Sequence, residues 1–339
     1  MIRVGIIGYG FSATTFHIPF IQALPEFELS AICSSRPEAV RQDFTELDTF
    51  KSLEAMLDSG KVDMAVITST NEHHYEMAKL CLERGVHVVL EKPMVTSSNE
   101  ATALIELTQT KSAIFSVFQN RRWDGDFRTL QSLIKDEMLG DIRYFESRWD
   151  RFRPNATQRW REIPGPGAGI WWDLGPHLID QVLVLFGMPN AITARILKLR
   201  KNARVDDYFH VLLHYHNLEV ALHSSPFAAG PNTRFYLQGS SGSYIKSGLD
   251  PQENQLKEGM LPTDPAFGLE QEDSGFLYDG NNKKAVPTRK GDYSEYFARL
   301  ANAIEHNEEP PVTVFEAADA ITIIEQAIAS SQSGCTLKL

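Results

Sequence analysis

The chain opens with MIRVGIIGYGFSA, residues 1–13, and this stretch decides the fold. Residues 2–7 form an apolar, β-branched run, which predicts a buried strand. The strand leads into the turn Gly8-Tyr9-Gly10-Phe11-Ser12-Ala13, of the form G-x-G-x-x-A, and residues 14–24 have the apolar spacing of a helix. Strand, glycine turn and helix in this order indicate a dinucleotide site. A tight turn in an α/β fold that binds nothing is the alternative.

Each small residue of the turn has a physical reason to be there. Gly8 permits a tight turn, and Gly10 has no Cβ, so a pyrophosphate can approach the backbone. Ala13 is small enough for the helix to pack close to the strand, and the helix N-terminus attracts phosphate charge. Phe11 and Ser12 complete the turn and are expected in the same cofactor site.

Length and charge limit the classes of function. The 339 residues suit two domains, and a hydrophobic fraction of 42% is typical of a globular protein with ample core. A formal net charge of -11 argues against a nucleic-acid partner, because a phosphate backbone needs a basic surface.

Cysteine usage and hydropathy bear on the compartment. Cys33, Cys81 and Cys335 are an odd, widely spaced set without a C-x-x-C pair, which predicts a reducing compartment and no structural zinc. The first strand begins at Ile2, and no apolar run approaches the roughly 20 residues that span a bilayer. We therefore expect a cytoplasmic protein with no membrane partner and no metal.

Apolar strands alternate with helices through the first third of the chain. The later strands are expected at 27–33, 62–67, 86–90 and 113–117. The helices between them are expected at 37–44, 52–59, 71–84 and 97–110. Strands that are apolar throughout and alternate with helices predict a parallel sheet covered on both faces. This part is expected to be a doubly wound α/β domain, the Rossmann fold, over residues 1–120.

The pattern changes after residue 120. Several β-type runs follow one another without helices, at 191–200, 206–216, 218–226 and 233–239. Consecutive strands with short connections predict an antiparallel sheet. Residues 247–290 are polar and rich in Gly and Pro, so we expect mostly loop there. Residues 121–339 are therefore expected to form an α+β domain.

Polar residues follow the second predicted strand, at an edge where ligands of doubly wound sheets bind. Ser34-Ser35-Arg36 offers two hydroxyls and a guanidinium, with no carboxylate to accept from the ribose hydroxyls. These groups suit a 2′-phosphate, which predicts NADP as the cofactor, with NAD possible. An ordinary surface arginine is the alternative reading of Arg36.

Two further polar stretches follow strands. Ser69, Thr70, Asn71 and His74 could line the nicotinamide ribose, although such residues before a helix are also routine N-caps. Glu91-Lys92 places two opposite charges at the end of a buried strand, which is costly unless they are paired or used. Lys92 could donate to a substrate oxygen while Glu91 holds the ammonium, and a surface ion pair is an equal alternative.

The informative stretch of the second half is residues 169–180. Asp173 and His177 are four residues apart, so they share one face if the segment is helical, and Asp180 continues that face. A carboxylate and an imidazole on an otherwise apolar helix suit proton transfer. On the pattern alone, a structural Asp–His pair explains them better. His210, His214 and His216, at strand spacing, predict a sheet surface or subunit interface rather than a metal site.

The motifs together resemble the Gfo/Idh/MocA oxidoreductases, which include glucose–fructose oxidoreductase and inositol dehydrogenase. The resemblance covers nearly the whole chain and rests on the glycine turn, Glu91-Lys92-Pro93, Trp160-Arg161 and Asp173-x-Gly175-x-His177. It implies a nicotinamide-dependent dehydrogenase that acts on a sugar, polyol or related hydroxyl compound. It also implies that residues 121–339 bind substrate and form a homodimer through a large open antiparallel sheet.

The resemblance also implies roles for single residues. Lys92 matches the lysine that contacts substrate and nicotinamide ribose, before a proline whose peptide bond is often cis. His177 matches the general acid/base, and Asp173 matches its substrate-binding partner. Cofactor contacts are implied for Asn71, His74, Asn120, Trp160 and Arg161.

The chain departs from the family pattern in one loop, because the proline of the T-P-N-x-x-H motif is absent before Asn71. In the mechanism that the resemblance implies, His177 exchanges the hydroxyl proton while Lys92 donates to the same oxygen. A non-catalytic dinucleotide-binding sensor or regulator of the same fold is the alternative function. The intact set of Lys92, Asp173 and His177 weighs against it, since a sensor needs none of them.

Overall fold

The computed structural model describes residues 1–157, 162–272 and 275–339. The chain folds into two compact units, which we call the N-terminal and C-terminal units. The N-terminal unit comprises Met1–Trp123, Gln252–Phe267 and Asp292–Ala318. The C-terminal unit comprises Asp124–Pro251, Gly268–Gly291 and Asp319–Leu339. Each unit thus combines segments from separate parts of the chain. The division into a dinucleotide-binding domain over residues 1–120 and a substrate-binding domain over residues 121–339 stays a prediction.

The N-terminal unit contains a six-stranded, all-parallel sheet in the order β3-β2-β1-β4-β5-β6. Its strands are β1 Ile2–Ile7, β2 Phe27–Cys33, β3 Asp48–Phe50, β4 Met64–Ile67, β5 His87–Leu90 and β6 Phe115–Val117. The helices around it are α1 Ile18–Ala23, α2 Pro37–Asp43, α3 Leu53–Asp58, α4 His74–Glu83 and α5 Ser98–Thr110. This order confirms the predicted Rossmann fold. Ligands of this fold bind beyond the carboxyl ends of β1 and β4, where the strand order reverses.

The start of the first helix differs from the sequence prediction of a regular helix over residues 14–24. Ala13–His17 form a π turn, in which the Ile18 N–H donates to the Ala13 carbonyl, and α1 follows. Pro19 has no N–H, so the regular bonding pattern is interrupted at this point. π turns of this kind often occur at functional sites.

The C-terminal unit contains a nine-stranded sheet in the order β14-β13-β12-β11-β7-β10-β9-β8-β15. Its first strands are β7 Ile142–Arg148, β8 Ala191–Leu197, β9 Tyr208–His214, β10 Glu219–Ser224 and β11 Thr233–Gly239. The remaining strands are β12 Gly242–Ser247, β13 Gly275–Tyr278, β14 Lys283–Val286 and β15 Leu337–Lys338. The sheet is mixed, because β7 and β10 pair in parallel, whereas the other neighbours are antiparallel.

The later helices are α6 Gly125–Lys135, α7 Ile170–Phe186, α8 Gln252–Lys257, α9 Ser294–His306 and α10 Val314–Ser333. Helix α7 packs on β9 and β10. Along β9, buried residues alternate with residues that are exposed or half-buried, so one face is covered and the other is open. No helix in the described parts of the chain has the length and apolar character to cross a membrane.

The described part of residues 247–290 is mostly loop, as predicted, and it also contains helix α8 and the hairpin β13–β14. The sequence did not indicate these strands, because β14 is polar. Lys283 is exposed, and its ammonium lies 3.8 Å from the centre of the Phe276 ring. Such a strand at the edge of a sheet carries no apolar alternation.

Candidate active site

Three loops meet at one edge of the parallel sheet. Gly8, Thr68 and Glu91 follow β1, β4 and β5, and each donates its backbone N–H to the last residue of a neighbouring strand. The acceptors are the carbonyls of Cys33 (2.9 Å), Ile7 (2.8 Å) and Ile67 (3.1 Å), respectively. The structure therefore places these three predicted ligand-binding stretches side by side, because their strands are neighbours in the sheet.

The glycine turn has both the left-handed backbone conformation and the open space that suit a pyrophosphate site. Gly8 has φ of +93°, and a Cβ there would lie 2.9 Å from the Thr68 hydroxyl. A Cβ at Gly10 would meet nothing within 4 Å. The helix begins directly after the turn, with the Thr14 N–H donating to the Gly10 carbonyl (3.1 Å). Free space beside a helix N-terminus fits the pyrophosphate of a nicotinamide dinucleotide.

The residues after β2 lie beside this turn. The guanidinium of Arg36 donates to the Tyr9 carbonyl (2.8 Å), and the Arg36 N–H donates to the buried Ser34 hydroxyl (3.0 Å). Both Ser35 and Arg36 are exposed. Tyr9 donates its hydroxyl to Asp43, and burial together with this bond raises the pKa of Tyr9 to about 12. An exposed guanidinium is thus tethered at the turn, where a 2′-phosphate could reach it.

The loop after β4 is joined to the Lys92 segment by a buried histidine. The ring nitrogens of His74 lie 2.9 Å from the Pro93 carbonyl and 3.2 Å from the Ser69 carbonyl. Burial lowers the pKa of His74, despite these hydrogen bonds. This geometry makes His74 a link between two loops. The cofactor contacts of Ser69, Thr70, Asn71 and His74 stay predictions.

Glu91 is the centre of a hydrogen-bond cluster beside the glycine turn. Its carboxylate accepts from the Ser12 hydroxyl, from His17 Nε2 (2.9 Å) and from the Lys92 N–H (3.2 Å). Burial alone would raise the pKa of Glu91, but the bonds from His17 and Ser12 and the charge of Lys92 lower it to about 2. The Lys92–Pro93 bond is cis. Glu91 is therefore an ionised anchor for the backbone that carries Lys92.

Asn120 and its neighbour Arg121 lie after β6 and are buried. Arg121 donates to the Tyr293 hydroxyl (2.7 Å) and pairs with Glu253 of α8. Burial would raise the pKa of Glu253, but Arg121 and Lys257 lower it to about 2. Arg121 therefore anchors α8 and α9 in the N-terminal unit, whereas the cofactor contact of Asn120 stays a prediction. Trp160 and Arg161 lie outside the described residues.

Helix α7 carries Asp173, His177 and Asp180, at positions i, i+4 and i+7 of one face. His177 and Asp180 are buried, and the His177 ring lies 5.7 Å from that of Trp149. The helix is set against its own unit by Trp171, which is buried, contacts Phe209 and donates to the Ile324 carbonyl (3.2 Å). The prediction that this segment is one helix is confirmed.

A cavity of about 350 Å³ lies at the N-terminus of α7. Its walls carry carboxylates, guanidinium groups and hydroxyls, including those of Asp173, Asp206, Arg151, Arg200 and Ser225. Such groups hydrogen-bond to the hydroxyls of small polar ligands. Asp173 therefore lies where a small polar ligand in this cavity could contact it.

Asp206 caps the same helix. Its carboxylate accepts from the Trp171 N–H (2.8 Å), and its carbonyl accepts from the Ile170 N–H (3.0 Å). Gly169 makes room for this, since a Cβ there would lie 2.1 Å from Asp206 Oδ1. Burial raises the pKa of Asp206 to about 6, with Asp207 as a further cause.

The sequence did not indicate His17 or Asp206, which the structure places against Glu91 and at the N-terminus of α7. Each is a polar residue next to an apolar run, which is the only sequence signal available. The outward histidines of β9 behave as predicted for a sheet surface: His214 contacts Thr193 and Glu219, both at 2.8 Å. The described residues contain no group of three His, Cys, Asp or Glu side chains that could hold a metal ion.

Comparisons with known proteins agree with this architecture. Residues 2–119 match the oxidoreductase family with an NAD-binding Rossmann fold, Gfo/Idh/MocA, and residues 131–339 match the C-terminal alpha/beta domain of that family. The chain is 40% identical over 342 residues to the uncharacterized oxidoreductase YdgJ of Escherichia coli, covering 100% of this chain and 99% of YdgJ.

A curated protein and a solved structure, both from Bacillus subtilis, are also similar over nearly their full length. The scyllo-inositol 2-dehydrogenase (NADP(+)) IolW is 38% identical over 343 residues, covering 100% of this chain and 96% of IolW. The solved structure of yvaA superposes with a TM-score of 0.96 at 37% identity, covering 100% of this chain and 98% of that one.

Proposed function

This chain belongs to the Gfo/Idh/MocA oxidoreductase family, and we propose that it transfers a hydride between NADP(H) and a hydroxyl or carbonyl carbon of a polyol or sugar. The observation that carries the proposal is that Asp173 and His177 share one face of α7 and that Asp173 lines the cavity at the start of this helix. A dehydrogenase of alcohols needs a group that exchanges the hydroxyl proton, and imidazole titrates near neutral pH. The name of IolW supports a cyclic polyol as substrate.

Residues of the N-terminal unit are proposed to hold the cofactor. The Gly8–Ala13 turn leaves room for the pyrophosphate, and Ser34, Ser35 and Arg36 bind the 2′-phosphate. Lys92 contacts the nicotinamide ribose. By family resemblance, Trp160 and Arg161, which are not part of that unit, are also proposed to reach the cofactor. The bound nicotinamide supplies the carbon that accepts or donates the hydride.

The chemistry on the substrate oxygen is assigned to three side chains. His177 takes the hydroxyl proton during oxidation and returns it during reduction. Lys92 donates a hydrogen bond to the same oxygen and stabilises its developing negative charge. Asp173 accepts from a substrate hydroxyl and so sets the orientation of the reacting carbon.

A panel of polyols and sugars tests the proposal, with scyllo-inositol as its first member and NADP⁺ and NAD⁺ as alternative oxidants. We expect NADPH formation with at least one cyclic polyol, and a higher kcat/KM for NADP⁺ than for NAD⁺. A chain that binds NADPH, seen as a change in its fluorescence, but oxidises no member would be a sensor instead. Equal use of both cofactors would overturn the assignment of Ser34, Ser35 and Arg36.

We also propose that the protein is a homodimer that pairs through the open face of the C-terminal sheet. That face carries outward side chains such as His210 and Arg195, which are exposed in the single chain. Light scattering coupled to size exclusion measures the mass directly: a dimer has twice the 38.1 kDa of one chain. Substituting both residues with glutamate should shift a dimer toward monomer, whereas an unchanged mass would place the interface elsewhere.

A further inference from the structure

His17 is a buried imidazole whose one polar contact among the described residues is with Glu91. Its side chain is 0% exposed, and its ring lies 4.3 Å from that of Phe118 and 6.0 Å from that of Phe297. Nε2 lies 2.9 Å from Glu91 Oε1, whereas Nδ1 has no hydrogen-bond partner among the described residues. A buried polar group with one unmet nitrogen is costly, so its retention needs a reason.

The direction of this hydrogen bond follows from the chemistry of its partners. An ionised carboxylate only accepts hydrogen bonds, so Nε2 must carry the hydrogen. His17 therefore acts as a hydrogen-bond donor to Glu91.

The contact fixes Glu91 at a junction of three elements. One carboxylate oxygen receives both His17 and the hydroxyl of Ser12 in the glycine turn, and the other receives the Lys92 N–H. From the far side, His74 holds the carbonyl of Pro93. The backbone that presents Lys92 is thus clamped between two buried histidines, His17 acting through Glu91 and His74 acting directly.

We infer that His17 is a positioning residue for Lys92: through Glu91 it fixes the Lys92 backbone and links it to the glycine turn. A helix residue that contacts neither substrate nor cofactor thereby sets the place of a catalytic side chain. The kinetic consequence rests on the function proposed above, whereas the structural consequence does not. Rotation of Glu91 away from Lys92 would break its hydrogen bond to the Lys92 N–H. The Lys92 side chain could then move away from the reacting oxygen.

Two substitutions of His17 separate the effect of its hydrogen bond to Glu91 from the effect of its packing in the core. His17→Gln places an amide N–H near the position of Nε2 and keeps the bond to Glu91. His17→Leu keeps a buried apolar body and removes the donor. His87→Gln is the control, because His87 lies at the opposite end of β5 and its Nδ1 accepts from the Ile114 N–H (2.9 Å).

The primary readout is hydrogen exchange of the Lys92 amide, resolved by NMR on the full chain, because this N–H is the one that Glu91 holds. We expect exchange to be at least about tenfold faster in His17→Leu, and within about twofold of the parent in His17→Gln and His87→Gln. Equal exchange in the parent and His17→Leu, or equal acceleration in the Leu and Gln variants, would overturn the inference. If His17→Leu does not fold, His17→Asn replaces it, since its shorter amide cannot reach Glu91.

Turnover is the second readout and tests the kinetic consequence. We expect kcat to fall about tenfold in His17→Leu with KM for NADP⁺ changed by less than about threefold, and His17→Gln to recover most of kcat. A loss shared equally by both variants would mean that only packing matters. If the parent chain shows no turnover while Lys92 exchange still responds, the proposed function fails and the positioning role stands.

Discussion

Replacing Asp206 with asparagine should change the stability of the protein in a direction that depends on pH. Asp206 lies at the N-terminus of α7, and burial raises its pKa from 3.8 to about 6. Burial therefore favours the protonated carboxyl in the folded state. Asparagine keeps an oxygen for the Trp171 N–H and carries no charge at any pH.

The magnitude follows from the two pKa values. Because the folded-state pKa is raised, the stabilising contribution is present below pH 3.8 and is lost as the pH rises through about 6. The difference of about two pH units corresponds to about 3 kcal/mol, at about 1.4 kcal/mol per unit. Relative to the parent, Asp206→Asn should therefore gain about 3 kcal/mol in free energy of unfolding between pH 4 and pH 8.

Urea unfolding followed by tryptophan fluorescence at pH 4, 5, 6, 7 and 8 measures this difference. Asp207→Asn is a matched control, because the neighbouring carboxylate pairs with Arg200 at 2.9 Å and is buried with it. Removing that partner should lower stability at pH 7 by at least about 2 kcal/mol. A gap between parent and Asp206→Asn that stays constant with pH, or shrinks as the pH rises, would refute the assignment of a raised pKa to Asp206.

Three further predictions concern the cofactor and the chemistry. Arg36→Ala should raise KM for NADP⁺ by at least about tenfold and leave KM for NAD⁺ nearly unchanged, and equal changes in steady-state kinetics would contradict the 2′-phosphate contact. His177→Ala and Lys92→Ala should each lower kcat by about 10² or more while NADPH still binds in fluorescence titration, so near-normal turnover in both would end the assignment. Gly10→Ala should keep thermal stability but weaken NADPH binding at least about tenfold, whereas Gly8→Ala should lower stability by about 1–3 kcal/mol because its φ is +93°.

Local patterns of the sequence were sufficient for the parallel sheet. The apolar run at residues 2–7, the glycine turn and the alternation that follows each depend on neighbours in the chain, and the structure confirms them. The short strand β3 was missed because three half-buried residues carry no clear period. The parallel pairing of β7 with β10 was missed because it depends on a return of the chain across two intervening strands.

The candidate site was less predictable, because its contacts join residues far apart in the chain. Glu91 was singled out as a partner for Lys92, but its bonds to Ser12 and His17 span more than 70 positions. His17 alone has the sequence signature of an ordinary residue on a mostly apolar helix. The attachment of residues 252–267 to the N-terminal unit likewise depends on the buried pair of Arg121 and Glu253.

The transfer of deuterium from NADPH that is deuterated at both C4 positions tests the central claim most directly. The protein would be incubated with this cofactor and the keto form of scyllo-inositol, and the product analysed by mass spectrometry and NMR. The account predicts one deuterium on the carbinol carbon that had been the ketone. In His177→Ala, the rate of this deuterium transfer should be about 10²-fold lower. Bound NADPH with no deuterium in any product would contradict hydride transfer to this polyol class and leave the chain as a dinucleotide-binding sensor.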